Sequence, residues 1–423
     1  MGYEFNKNNE SPRKSAPRIL YLTYDGLTDP LGQSQVLPYM IGLSERGYAI
    51  TIISSEKPNR WEQIDQLKEL TTACGIHWIH IPYTKSPPIL STLYDLWKIR
   101  RISKRLCLQE KFEIVHCRSY ITSLVGLWLK RRFKLRFIFD MRGFYADERI
   151  DGGMWNQRKL IYKWIYRFFK NRESAFLEEA DSTICLTQDA FKEIRTWRKI
   201  DHQPIPIQVI PCCVDPQLFH PEQDIVAQAS AREILGLAGN ELVLSYVGAV
   251  GTWYLLDEML DFFKRMLIVY PNARFLFISH EDAAMIRSKA KAREIPDSSI
   301  LIHQVPHHQV PVYLSLSHVS IFFIKPVYSK KASSPVKLGE IMSMGIPIIC
   351  NSNVGDTDRI IRESGAGAIV RSFSNDDYDF VIHDLPRLLQ LPKQGIRQAA
   401  VQLFSLSKGV DQYHQVYQKL IEH

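Results

Sequence analysis

Short apolar runs alternate along the chain with helix-spaced stretches and with turns marked by Gly and Pro. Residues 18–23 (RILYLT) form the first such run, and 25–35 (DGLTDPLGQSQ) is turn-rich. Apolar positions in 36–46 (VLPYMIGLSER) then fall at helical spacing, and 48–54 (YAITIIS) is apolar again. This order predicts a strand–loop–helix–strand unit. Further strands are predicted at 75–81, 114–116, 137–140 and 183–186. The pattern restarts with strands at 208–210, 241–247, 274–279, 299–302, 319–324, 346–350 and 368–370, and with a helix over 255–270. Apolar strands separated by helices predict parallel sheets covered on both faces.

The chain has 423 residues, more than one hydrophobic core usually serves. The fold class expected is therefore α/β, with two Rossmann-like domains whose parallel sheets face each other across a cleft. The expected division is a disordered tail over 1–17, an N-terminal acceptor domain over 18–205 and a C-terminal donor domain over 206–400. A helix over 401–423 is expected to cross back to the first domain. Open α/β sheets bind ligands beyond their strand C-termini, so the cleft is the expected site.

Composition narrows the class of protein. Apolar residues make up 45% and charged residues 23%, as in ordinary globular chains. The polar start lacks the apolar run of a secretory signal, and no stretch is long and apolar enough to span a membrane. The expected location is cytoplasmic. Seven scattered cysteines without a C-x-x-C spacing read as free thiols rather than disulfides or zinc ligands. The net charge of +8 would attract anionic lipid, phosphorylated substrates or nucleic acid. Two basic stretches interleave with bulky apolar residues, at 96–106 (LWKIRRISKRL) and 158–172 (RKLIYKWIYRFFKNR). Lys159, Lys163, Arg167 and Lys170 would form a positive stripe on one helical face. Such helices either rest on an anionic membrane surface or are solvated helices packed by their other side.

The segment 333–358 (SSPVKLGEIMSMGIPIICNSNVGDTD) carries the densest chemistry. It reads as a loop, a short helix, a turn, a buried strand and a second Gly-containing loop. Lys337 and Glu340 lie on one face near the helix start. A helix start favours phosphate, Lys337 adds a point charge, and Glu340 could accept from a pair of ribose hydroxyls. The same spacing also suits a plain surface Lys–Glu pair. Gly248 and Gly251 follow the strand at 241–247. They mark either a tight turn or a place where backbone approaches a diphosphate.

Lys337 and Glu340, followed by Met342, Gly345, Pro347, Val354 and Gly355, resemble the donor-site signature of glycosyltransferase family 4, of the GT-B fold. That resemblance implies that Glu340 is the second acid of the family's E-x7-E motif and binds the nucleotide ribose. The first acid would fall at Ala332 and is missing, so Ser333, Ser334 or Lys337 are the residues placed to take over its role. The run from Val209 through Pro211, Val214 and Asp215 to Phe219 and Pro221 resembles the family's interdomain connection, with Cys212 and Cys213 replacing Asn and Gly. Tyr246 and Gly248 stand where the second domain opens and its phosphate-facing loop begins. Only Gly32 matches the family's Gly-rich loop in the first domain. Glu113, His116 and Arg118 resemble the end of another family strand, and Arg142 stands where relatives carry His-Gly.

The resemblance implies a retaining, metal-independent hexosyltransferase-like enzyme using a nucleotide sugar as co-substrate, with no cofactor. Its acceptor would be a glycan or lipid-linked molecule of bacterial envelope polysaccharide or glycolipid synthesis. Arg142, His116 and Lys337 are the expected catalytic residues; Gly248, Gly251, Ser334, Lys337, Glu340 and Gly355 are expected at the donor. His116 also fits a satisfied core histidine, and Asp356 and Asp358 read as donor-loop structure rather than a metal site. The alternatives are another GT-B enzyme, such as a sugar-nucleotide epimerase or phosphorylase, and a basic nucleic-acid-binding protein. No nucleic-acid-binding motif supports the last.

Overall fold

The computed structural model describes residues 16–197 and 204–422. Most of the expected tail and part of the expected boundary, 201–203, lie outside the described residues.

Two all-parallel sheets form the framework, and their order follows from which apolar runs can be buried on both faces. The first sheet contains β1 (Arg18–Leu22), β2 (Ala49–Glu56), β3 (His77–Pro82), β4 (Ile114–Arg118), β5 (Arg136–Asp140), β6 (Ser182–Cys185) and β7 (Ile207–Val209). Its order is β3-β2-β1-β4-β5-β6-β7. The second contains β8 (Val243–Val247), β9 (Arg274–Ile278), β10 (Ile300–His303), β11 (Val319–Phe322), β12 (Ile348–Asn351) and β13 (Gly367–Val370), ordered β10-β9-β8-β11-β12-β13. In each sheet the order reverses beside the first strand. The crevice left at that switch point is where such sheets take ligands.

One strand departs from expectation. The run at 208–210 was expected to open the second domain, yet Ile207–Val209 pairs with β6, Thr183 opposite Ile207 and Cys185 opposite Val209. It closes the edge of the first sheet, so the second unit starts beyond it. The turn-rich stretch 25–35 likewise contains a short helix, Pro30–Gln35, with proline in its first turn.

The helices show why they stay where they are. Leu256–Val269 buries Leu256, Met259, Leu260, Phe262, Phe263 and Met266 on one face, and has Asp257 and Glu258 in its first turn. Two connections cross between the units side by side. The Val214 N–H donates to the Phe404 carbonyl (2.8 Å), and the Leu406 N–H donates to the Val214 carbonyl (2.9 Å). The final helix, Leu406–Glu422, thus returns to the first unit and buries Val410, Tyr413, Val416 and Tyr417. There it shares a core with Ile19, Tyr21, Ile50 and Leu43.

The units also meet away from this crossing. Lys330 pairs with Glu148 (2.6 Å), and the Ser329 N–H donates to the Asp151 carboxylate (2.9 Å). Asp356 accepts from the backbone N–H groups of Gln188 (2.8 Å) and Asp189 (3.1 Å), at the first turn of the helix Gln188–Ile194. The segment just before the Lys337 helix is therefore tied to the first unit.

Replacing Tyr417 by alanine removes a fully buried ring and the hydroxyl bonded to His116. The expected loss is about 3–5 kcal/mol of unfolding free energy, read by urea titration monitored in the first unit. A loss below about 1 kcal/mol would show that the returning helix is not part of that core.

Candidate functional site

The helix carrying the main site residues spans Val336–Ser343, with Pro335 as its N-cap. Proline offers no side-chain acceptor, so the first turn is uncapped by any side chain. Behind it, β12 and the helix Lys393–Phe404 bury the apolar side of the helix, including Leu338, Ile341 and Met342. The packing is close, since a Cβ on Gly339 would stand 3.1 Å from Val214 and 3.2 Å from Phe404. The helix is thus fixed directly against the interdomain crossing.

Lys337 is not the surface residue its spacing alone allowed. It is only 7% exposed. Its ammonium donates to the Tyr246 hydroxyl (2.9 Å) and lies 4.1 and 3.5 Å from the ring centroids of Tyr246 and Tyr254. Among the described residues no carboxylate comes within ion-pair distance of it. Burial holds its pKa well below the ordinary lysine value, with Glu340 pulling weakly the other way. Two aromatic faces and one hydroxyl compensate a buried cation only in part.

Gly248 is the residue closest to this cation. A Cβ there would meet the Lys337 Nζ at 3.2 Å, and the backbone φ of +104° suits glycine. Gly251 has φ +124° and open space beside it. The N–H groups of both glycines are engaged within the second unit. The Gly248 N–H donates to the Ile278 carbonyl (2.9 Å), and the Gly251 N–H to the Tyr254 carbonyl (3.3 Å). Both donors are already used. What the glycines provide is space and a turn that returns Tyr254 to Lys337.

Glu340 lies one turn on and is also 7% exposed. Its partner is not Lys337 but His307, whose Nε2 stands 2.9 Å from Glu340 Oε1. The hydrogen bond to Glu340 raises the His307 pKa, against burial, which opposes it. Phe219 packs against the imidazole at 5.4 Å. Glu340 lines a cavity of about 130 Å³ whose opposite wall is Gln33, Ser34, Gln35 and Pro38 of the first unit.

The remaining expected residues sort into two groups. The Ser334 hydroxyl accepts from the Cys212 N–H (3.2 Å), and Arg142 reaches the Cys212 sulfur (3.2 Å). Arg142 stands 3.8 Å from Asp140 and has φ +58°, a left-handed conformation costing about 1–2 kcal/mol for a side-chain-bearing residue. Cys212 therefore links Arg142 to the start of the Lys337 helix. His116 and Gly355, in contrast, lie in tightly packed surroundings. His116 is 1% exposed, is bonded to the Tyr417 hydroxyl (2.7 Å) and is surrounded by Tyr21, Tyr413 and Tyr417. His116 thus sits in the core beneath the returning helix, with burial pressing its pKa down. At Gly355 a Cβ would stand 2.3 Å from the Ser333 carbonyl and 3.0 Å from Thr187, so glycine there allows two loops to touch.

The contacts made by four residues were not legible in the sequence. His307, Tyr246 and Tyr254 hold the two charged groups, yet no spacing ties them to the helix at 336–343. Glu56, at the end of β2, is fully buried and accepts from the Leu27 N–H (2.8 Å) and from the Thr28 N–H (3.0 Å) and hydroxyl (2.6 Å). It thereby shapes the loop that leads to Gln33–Gln35. Glu56 lies two residues past the predicted strand at 48–54, where nothing in the sequence marks it as buried.

Residues 37–218 match the model of Glycosyltransferase Family 4, and residues 227–394 match that of Glycosyl transferases group 1. The chain belongs to this family of glycosyltransferases. Solved structures share the two-sheet GT-B architecture along nearly the whole chain. Sucrose-phosphate synthase from Thermosynechococcus elongatus is 17% identical, with a TM-score of 0.76, over 96% of this chain and 99% of that one. WaaG, a glycosyltransferase involved in lipopolysaccharide biosynthesis, is 14% identical, with a TM-score of 0.65, over 93% and 98%. Anabaena HepE, solved with UDP-glucose, is 12% identical, with a TM-score of 0.68, over 95% and 99%. At these identities the likeness is one of fold. No curated protein matches the chain in sequence.

A cation held without a carboxylate should cost stability when nothing anionic is bound. Lys337→Met is expected to raise the unfolding free energy by about 1–2 kcal/mol at neutral pH. Because the folded-state pKa of Lys337 is depressed, the unfolded chain binds more protons below the ordinary lysine pKa, and wild-type stability rises with pH there. The gap between variant and wild type should close as the medium becomes alkaline. Denaturant titrations at neutral and alkaline pH read this, and a destabilised variant would refute it.

Proposed function

We propose that the protein is a retaining glycosyltransferase that moves a hexosyl group from a nucleotide sugar to a glycan or lipid-linked acceptor in envelope polysaccharide or glycolipid synthesis. The observation that carries this reading is Lys337: a buried ammonium without a carboxylate, beside a glycine turn, at the uncapped start of a helix in the cleft. A diphosphate supplies the missing negative charge. As the bond from the anomeric carbon to the diphosphate breaks, the acceptor hydroxyl oxygen bonds to that carbon and its proton passes to the departing phosphate oxygen; Lys337 stabilises the charge that builds on the leaving group without a metal. Glu340 accepts from the ribose hydroxyls of the same donor. Ser334 stands in the loop that lacks the family's first acid, near the transferred sugar. Arg142 approaches from the first unit, through Cys212, as the second cation for the leaving phosphate.

Asp356 and Asp358 have no part in this scheme. Asp356 accepts the Gln188 and Asp189 amides and pairs with Arg359 (3.2 Å), while Asp358 pairs with Arg362 (3.6 Å).

A lipid-linked acceptor fits two helices of the first unit. Leu90–Gln109 exposes Leu90, Leu93, Tyr94 and Trp97, and Leu160–Glu179 exposes Leu160, Ile161, Trp164 and Phe168. Arg101, Lys104 and Arg105 on one helix, and Lys159, Lys163 and Arg167 on the other, are exposed beside them. Lys170, expected in the same stripe, instead turns inward to Asp147 (3.0 Å) and Glu173. Among the described residues no helix is long and apolar enough to cross a membrane. The helices would rest on the anionic cytoplasmic face of the cell membrane, with aromatic residues at headgroup depth.

Isothermal titration with UDP-, GDP- and ADP-sugars tests the donor site. At least one is expected to bind wild type and to lose at least about tenfold in affinity with Glu340→Ala, the thermal midpoint staying within a few degrees. Unchanged binding would displace the site. Flotation with phosphatidylglycerol vesicles tests the surface. Binding is expected to fall with Trp97→Ser plus Trp164→Ser and with added salt; no dependence on anionic lipid would remove the membrane from the proposal.

A further inference from the structure

Glu340 can grip a ligand only if its carboxylate is held in one orientation while part of it stays free. Both conditions are met at the cavity between the units. His307 takes one oxygen, Oε1, at 2.9 Å, which leaves the acceptor capacity of Oε2. The half-exposed His307 ring packs against Phe219 on one side. Across the cavity, Gln35 is 3% exposed and donates through its amide nitrogen to the Cys213 carbonyl (2.9 Å). Its Oε1 is buried with no partner. A buried oxygen left without a donor, on a residue of the cavity wall, is a place where a ligand could bring one. The volume, about 130 Å³, is that of one small ring rather than a whole nucleotide.

We infer that His307 is a positioning residue: it locks the Glu340 carboxylate toward this cavity, and Gln35 receives a second hydroxyl from the opposite unit, so that one vicinal diol is held between the two domains. The inference rests on the proposed reading of Glu340 as the acid that binds the donor's ribose, and it adds what makes that acid competent. A charged imidazolium here also attracts an anionic donor. The other ionisable groups around it are Glu340 on the adjacent helix, Asp215 on the cavity wall and His308 next in the chain. Because the contact with Glu340 raises the His307 pKa, the imidazolium persists at low pH and is lost as pH rises through that value.

The test is the affinity of UDP-glucose, GDP-mannose and ADP-glucose from about pH 5.5 to about pH 9, a range in which their diphosphates do not titrate. The donor that binds wild type is expected to weaken severalfold as pH rises. His307→Gln, which keeps a neutral N–H donor for Glu340, should bind at every pH about as wild type does at high pH. His307→Ala should be weaker still, on the order of tenfold below wild type at low pH. Gln35→Leu should weaken the same donor while leaving the pH slope intact. Thermal midpoints within a few degrees of wild type exclude misfolding as the cause. If Glu340→Gln abolishes binding but His307→Ala keeps wild-type affinity and pH slope, the positioning role is wrong and the donor site stands. If Glu340→Gln binds as wild type does, the donor site itself is wrong.

Discussion

A single buried ammonium organises the site. Lys337 is held between two tyrosine rings and one hydroxyl, an arrangement that stabilises a cation less than an ion pair would. The rest of the donor unit keeps that ammonium in place. Gly248 leaves it room, the turn through Gly251 brings Tyr254 over it, and the helix Val336–Ser343 is pinned from behind by the helix Lys393–Phe404. The energy withheld from the lysine in the free protein becomes available when an anion arrives. This is the basis on which a diphosphate is proposed as the ligand of Lys337.

The second constraint is the pair of chain crossings. Val214 hydrogen-bonds on both sides to the segment around Ser405, so the two connections between units act as one ribbon. Cys212 and Cys213 lie immediately before it and touch Arg142, Ser334, Gln35 and Tyr39. Groups from both units are thus referenced to one short stretch of backbone. Lys330, Ser329 and Asp356 add contacts on the far side. The loop preceding the Lys337 helix is consequently held from two directions, and Arg142 retains its left-handed backbone there.

Much of this was legible in the amino-acid order. Apolar runs located all thirteen strands to within a few residues, because strands buried on both faces need continuous apolar character. The short strand Ile207–Val209 was found but given to the wrong sheet, since three residues among prolines carry no information about which edge will pair with them. Lys337 and Glu340 were legible through their spacing and through the family signature around them. Their partners were not. Tyr246, Tyr254 and His307 reach them through strand order and loop return, which residue spacing does not encode. His116 did carry a local warning, because Ile114, Val115 and Cys117 around it are all apolar and all buried. The partners of the Gly248 and Gly251 amides were not legible for a related reason: glycine signals backbone freedom, but not which carbonyl the N–H will find.

The most direct measurement is the ionisation of the Lys337 amine itself, followed by NMR on the selectively labelled protein with and without a sugar nucleotide that binds. In the free protein the amine should titrate well below an ordinary lysine. With the diphosphate bound it should move upward, because an adjacent anion favours the charged form. An amine that titrates normally in the free protein, or that ignores the nucleotide while the nucleotide is bound, would contradict the central role given to Lys337.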